Sequence, residues 1–175
     1  MSAIVIDTNV LLVANGAAPQ MTDICRLACM ERLEKAKTSE AVVVDQHYLI
    51  LGEYKHKLNP NQGAPGPGDA FVLHLLQNMA NVAHVAPVEL TPTNPERTDF
   101  LEFPNDGELR QAFDPAERKF VAASNAHPEK PPILESADSK WLGWENRLLT
   151  HHGIRLEVLC RKELEAIRIK KNKQR

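Results

Sequence analysis

The sequence predicts an α/β protein: a three-layer α/β/α sandwich around a mainly parallel, five-stranded sheet. Two observations predict it. Short, branched aliphatic runs, AIVI at 3–6 and AVVV at 41–44, read as strands buried on both faces, the kind that parallel sheets use. Longer segments with helical spacing separate such runs, giving the order β-α-β-α-α-β-α-β-α-β, the alternation of a parallel sheet covered by helices. No internal repeat and no linker divides the chain, and 175 residues suit one core. A single domain is expected over residues 1–160, with 161–175 as the end of a C-terminal helix and a basic tail.

Each element has its own justification. The first strand, 3–6, ends at Asp7, and a loop containing Asn15-Gly16 and Pro19 is expected after it. Ile24, Leu27, Ala28 and Leu33 recur at helical spacing within 21–37, where Thr22 or Asp23 can cap the helix. A second strand, 41–44, ends at Asp45. A helix over 46–58 follows, stopped by Asn59-Pro60, and the Pro/Gly-dense stretch NPNQGAPGPG reads as loop. Asp69 can cap a helix from about 71 to 81, before a third strand at 82–88. Residues 91–106, rich in Pro, Thr and Asn, read as loop. Asp114 and Pro115 suit the start of a helix running to His127. Ile133-Leu134 begin a fourth strand, a helix covers 140–151 and ends at Gly153, and IRLEVLC is the fifth strand.

Composition narrows the class without naming a function. Hydrophobic content of 43% and charged content of 25% are ordinary for a globular chain, and aromatics at 5% leave aliphatic side chains to fill the core. No apolar run is long enough to span a bilayer, and the N-terminus lacks the basic region of a signal peptide, so a cytoplasmic location and no membrane partner are expected. Cys25 and Cys29 share a helix face; a metal pair there lacks a second Cys/His pair, and buried free thiols are the expectation. The net charge of −2 announces no nucleic-acid partner, but the segment IRIKKNKQR at 167–175 is strongly basic. It reads either as a solvated, frayed terminus or as a phosphate-contacting tail.

Four acids stand where a parallel sheet would place a ligand, beyond the carboxyl ends of its strands. Asp7 ends the first strand, Asp138 follows the fourth, and Glu53 and Glu117 lie on helices that can pack beside that edge. Singly, each has an ordinary structural explanation: Asp7 a turn residue, Asp138 a cap, Glu117 a partner of a helix dipole, Glu53 a solvated helix residue. Their joint pattern, with polar Asp7-Thr8-Asn9 between apolar runs, points to a site.

Four segments carry a resemblance to a known family. IVIDTNVLL resembles the first strand of PIN domains, LGEY the helix supplying their second acid, FDPAERKFVAAS their third motif and ILESADSKW their fourth, in the right order over residues 3–160. The resemblance implies a PIN-like fold and metal-dependent RNA hydrolysis. Asp7, Glu53, Glu117 and Asp138 would be the catalytic, metal-binding acids; Asn9 and Ser136 would be polar supports. The chain departs from the pattern at Glu117, where Asp is usual and Asp114 competes, and at Lys140, where many relatives have an acid. Toxin-like members of the family pair with an antitoxin protein, which the resemblance carries as an expected partner; a homodimer is compatible with it, and DNA stays open beside RNA. The alternative is a PIN-fold RNA-binding or assembly module with weak or no catalysis.

The chemistry follows from the donors. Four carboxylates in one cleft raise one another's pKa unless a cation fills it, and oxygen donors favour Mg²⁺ or Mn²⁺, as one or two ions. Arg118, Lys119 and Lys140, with Lys55 and Lys57, are the candidate phosphate contacts. Trp141 and Trp144 are read as core before base-stacking. A phosphoryl-transfer fold with Asp7 as nucleophile is disfavoured by Asn9, where a second Asp would be needed.

Overall fold

Branched aliphatic side chains pack best on a sheet covered on both faces, and the buried runs of this chain do so. In the computed structural model, which describes residues 2–175, five strands form: β1 (Ser2–Ile6), β2 (Glu40–Asp45), β3 (Val85–Val88), β4 (Ile133–Glu135) and β5 (Leu156–Val158). All pairings are parallel, in the order β3-β2-β1-β4-β5. The helices are α1 (Thr8–Ala14), α2 (Asp23–Ser39), α3 (Leu49–Lys57), α4 (Pro67–Gln77), α5 (Gly107–Ala112), α6 (Arg118–Ala126, led in by a 3₁₀ turn at Pro115–Glu117), α7 (Lys140–His152) and α8 (Arg161–Lys173). The result is the expected three-layer α/β/α sandwich.

The order of the strands locates a cleft. From β1 the chain winds outward through β2 to β3, then returns to lay β4 on the other side of β1. Beyond the carboxyl ends of β1 and β4 the winding reverses, which leaves a crevice at that edge. The register pairs Ile6 with Leu134, so the next residues, Asp7 and Glu135, leave the sheet side by side.

Several elements differ from expectation. The loop expected after Asp7 is instead α1, in which Val10, Leu11, Val13 and Ala14 are all buried; a helix buried on most sides shows no amphipathic period. Helix α4 starts four residues early, at Pro67, and Asp69 acts inside its first turn, accepting from the Gly66 and Asn59 N–H groups at 2.9 and 2.8 Å. Asp106 caps the short α5 through the Leu109 N–H. The helix end and basic tail expected at 161–175 are one helix over most of that length: α8 buries Leu164, and Glu163 accepts from the Thr22 N–H and hydroxyl at the start of α2. The free-thiol expectation is also corrected. Cys25 forms a disulfide with Cys160, 135 residues away, with Cα atoms 5.5 Å apart. Cys29 stays a thiol, and burial pushes its pKa up to about 11.

Arg32 of α2 is almost fully buried and donates to Glu40 of β2 (2.5 Å) and to Glu157 of β5 (2.7 Å). One guanidinium thus ties a helix to two strands, its fork satisfying both carboxylates.

Candidate active site

Asp7 is held at the head of the crevice by two local demands. Its backbone N–H continues the sheet by donating to the Leu134 carbonyl at 3.0 Å, and its Oδ1 caps α1 by accepting from the Asn9 N–H at 2.8 Å. The second oxygen, Oδ2, is buried with no partner. Tyr54, buried beneath, donates its hydroxyl to the Ile6 carbonyl and fixes the end of β1 against α3.

Three further acids meet there. Glu117, on the turn before α6, brings its carboxyl within hydrogen-bonding reach of Asp7, and its Oε2 is buried without a partner. Glu53 of α3 accepts from the Thr8 hydroxyl at 2.6 Å and from Lys119 Nζ at 2.5 Å. Glu135, fully buried at the end of β4, accepts from the Asp138 N–H at 2.6 Å and the Ala137 N–H at 2.9 Å through Oε1; its Oε2 has no partner.

The electrostatics follow from this crowding. Burial first, then the neighbouring Glu135 charge, push Asp7 well above the ordinary aspartate range. Burial and the charge on Asp7 push Glu117 up to about 9. Burial likewise lifts Glu135 to about 8, although two backbone N–H groups oppose it. Burial alone would raise Glu53 too, but the Lys119 ammonium and the Thr8 hydroxyl outweigh it and hold that carboxyl below its usual value.

The expected residues sort as follows. Asp7, Glu53 and Glu117 come together. Asp138 is half-buried beyond β4; its Oδ1 accepts from the Lys140 N–H at 3.0 Å, and it meets the cluster through its own N–H, which donates to Glu135. Glu117, not Asp114, faces Asp7; Asp114 caps the 3₁₀ turn and pairs with Lys140 at 3.3 Å. Asn9 contributes its backbone N–H to Asp7. Ser136 is fully buried, its hydroxyl facing Cys29.

Two expected phosphate contacts need correction. Lys119 is buried and spent on Glu53 and the Ala116 carbonyl, while Arg118 is turned inward onto the Arg110 carbonyl at 2.7 Å and towards Asp99 at 3.8 Å. Lys140 is exposed at the rim, where it pairs with Asp114. It opens onto a groove lined also by Trp144, Arg168, Lys171 and Arg175, with no acid in the lining. Trp141 is core, as expected, and Trp144 is partly exposed, packed on Phe113 with ring centroids 3.8 Å apart.

Glu135 and Thr8 are the residues that sequence reasoning missed. The signal for Glu135 was half present: an acid ends an apolar strand, but its pairing with the strand that Asp7 ends shows only in the fold. Thr8 reaches Glu53 only because α1 turns it back over the crevice, and that helix was not foreseen.

The donor set fits a hard cation. Three carboxyl oxygens, on Asp7, Glu117 and Glu135, are buried with no N–H or hydroxyl donor; in the metal-free chain protons hold them, with Asp7 and Glu117 close enough to share one, and a divalent ion can take the protons' place. Glu53, paired with Lys119, would have to exchange ammonium for metal to join them. Comparison with family models, with curated proteins and with solved structures found no match.

Proposed function

We propose that this chain is a PIN-like nuclease that hydrolyses phosphodiester bonds of RNA with Mg²⁺ or Mn²⁺ in the crevice beyond β1 and β4. The observation that carries the reading is the trio of buried carboxyl oxygens on Asp7, Glu117 and Glu135, without N–H or hydroxyl donors, at the strand-order reversal. The motif resemblance of residues 3–160 supports it from the sequence side.

Asp7, Glu117 and Glu135 would hold the ion, with Glu53 and Asp138 at its flanks. A divalent ion there supplies Lewis-acid chemistry: a more acidic water and relief of the charge that builds on a phosphodiester. The chain's own groups do the rest. The Asn9 N–H fixes the rotamer of Asp7, and the Ala137 and Asp138 N–H groups fix Glu135, so the donors are preorganised. Lys119 holds Glu53 in place and offsets part of the charge of the site. The exposed cations Lys140, Arg168, Lys171 and Arg175 offer a track for an anionic strand leading to the crevice.

The test is turnover of single-stranded RNA by purified protein. Cleavage should need Mg²⁺ or Mn²⁺, stop with EDTA, and fall by about 10²-fold or more in Asp7→Asn, the scale of losing one charge-stabilising group. Equal cleavage by the variant would reject the reading. One observation favours a second reading, a PIN-fold RNA-binding or assembly module: Glu53 is already satisfied by Lys119 and Thr8 without any metal. RNA binding without turnover under every divalent ion would select it.

A further inference from the structure

All three cysteines of the chain converge on one point, although the acidic crevice uses none of them. Cys25 and Cys29 lie one turn apart on the same face of α2, and Cys160 precedes α8. Their three sulfur atoms lie within 4.8 Å of one another, and the residues are 2%, 0% and 6% exposed. A disulfide needs two of them. The third, Cys29, sits within reach of both without a partner of its own. Packing alone would be served by any small apolar residue at that position.

The Ser136 side chain is fully buried, and its hydroxyl faces the Cys29 thiol. Glu163, the nearby acid, is already engaged by the Thr22 N–H and hydroxyl. Three buried sulfurs, drawn from α2 and the start of α8, form the kind of soft donor set that Zn²⁺ accepts and Mg²⁺ does not.

We propose that the reduced protein binds one Zn²⁺ through Cys25, Cys29 and Cys160, and that the Cys25–Cys160 disulfide is the oxidised, metal-free form of the same site. The two forms interconvert in a balanced step. A dithiol reductant gives two electrons and two protons to the disulfide and becomes a disulfide itself. Zn²⁺ then replaces the protons of the three thiols, which pass to solvent. Both forms join α2 to α8; only in the reduced, empty chain is that cross-link absent. The chain would thus sort two cations by donor softness, a hard one in the crevice and a soft one at the sulfurs.

The test is direct. Protein reduced anaerobically with a phosphine, then freed of reductant, is titrated with Co²⁺, whose bonds to thiolate give a near-ultraviolet charge-transfer band. The expected result is a band saturating at one ion per chain and displaced by Zn²⁺. It should be lost in Cys29→Ser, absent from the oxidised protein and kept in Asp7→Asn. No such band in reduced wild-type protein overturns the proposal without recourse to a variant, as does an undiminished band in Cys29→Ser. Because the readout is neither cleavage nor RNA binding, failure here leaves the nuclease reading untouched, and the reverse also holds.

Discussion

Asp7 faces two obligations at once. Its backbone and one oxygen belong to the sheet and to α1, which leaves the other oxygen free to face the crevice. Beside it, burial and the charge on Asp7 lift Glu117 to about 9, and burial with the charges on Asp138 and Glu117 lifts Glu135 to about 8. The ordinary glutamate value is 4.5. Between that value and the lifted ones, the folded chain holds protons that the unfolded chain has released. Stability of the metal-free protein is therefore greatest at the acid end of this window and falls as pH rises from about 5 to about 9. Thermal unfolding in EDTA at pH 5, 7 and 9 should show a declining Tm. Added Mn²⁺ should raise Tm most at pH 9, where the carboxylates need the least proton displacement to bind it. A Tm in EDTA that climbs steadily over this range would contradict the proton assignment.

At the scale of elements, buried ion pairs and buried helices decide how much could be foreseen. Arg32 joins α2 to β2 and β5, with Glu40 nearly as buried as the guanidinium. Arg32→Ala should lower stability by about 3–5 kcal/mol in urea unfolding, because it strands a carboxylate in the core. The five strands and the helices α2, α3, α6 and α7 were legible, since aliphatic runs and helical spacing survive in the sequence. Helix α1 was not: TNVLLVA is buried on most sides, so its apolar residues show no single stripe, and Asn15-Gly16 beyond it suggested a loop. Helix α8 looked like tail because its cations dominate, whereas Leu164, Glu163 and Cys160 anchor it. The same blind spots hid parts of the site. Thr8 depends on α1, and Glu135 depends on a strand register that becomes visible only when β4 lies beside β1. Lys119 looked like a phosphate contact because a cation on a helix is usually solvated; here α6 turns it into the core towards Glu53.

At the scale of the whole molecule, a net charge of −2 conceals a separation of sign. The acids collect in the crevice between β1 and β4, while Lys140, Arg168, Lys171 and Arg175 line the adjoining groove between α7 and α8. An RNA strand would lay its phosphates along the groove and present one bond to the acids. Arg168→Gln with Lys171→Gln should weaken binding of a single-stranded RNA in EDTA by about tenfold. It should also flatten the dependence of log affinity on log salt by about 1.4, near 0.7 for each lost charge. An unchanged salt slope would put the RNA elsewhere.

The nuclease reading stands on a cation in the acidic crevice, and calorimetric titration of Mn²⁺ into oxidised protein, with the cysteines locked as disulfide and buried thiol, measures that most directly. Wild-type protein should show saturable binding that disappears in Asp7→Asn and is unchanged in Asp23→Asn, an exposed acid at the far start of α2. Absent binding, or equal binding in wild type and Asp7→Asn, would mean that the buried oxygens of this crevice are kept for protons and not for a metal.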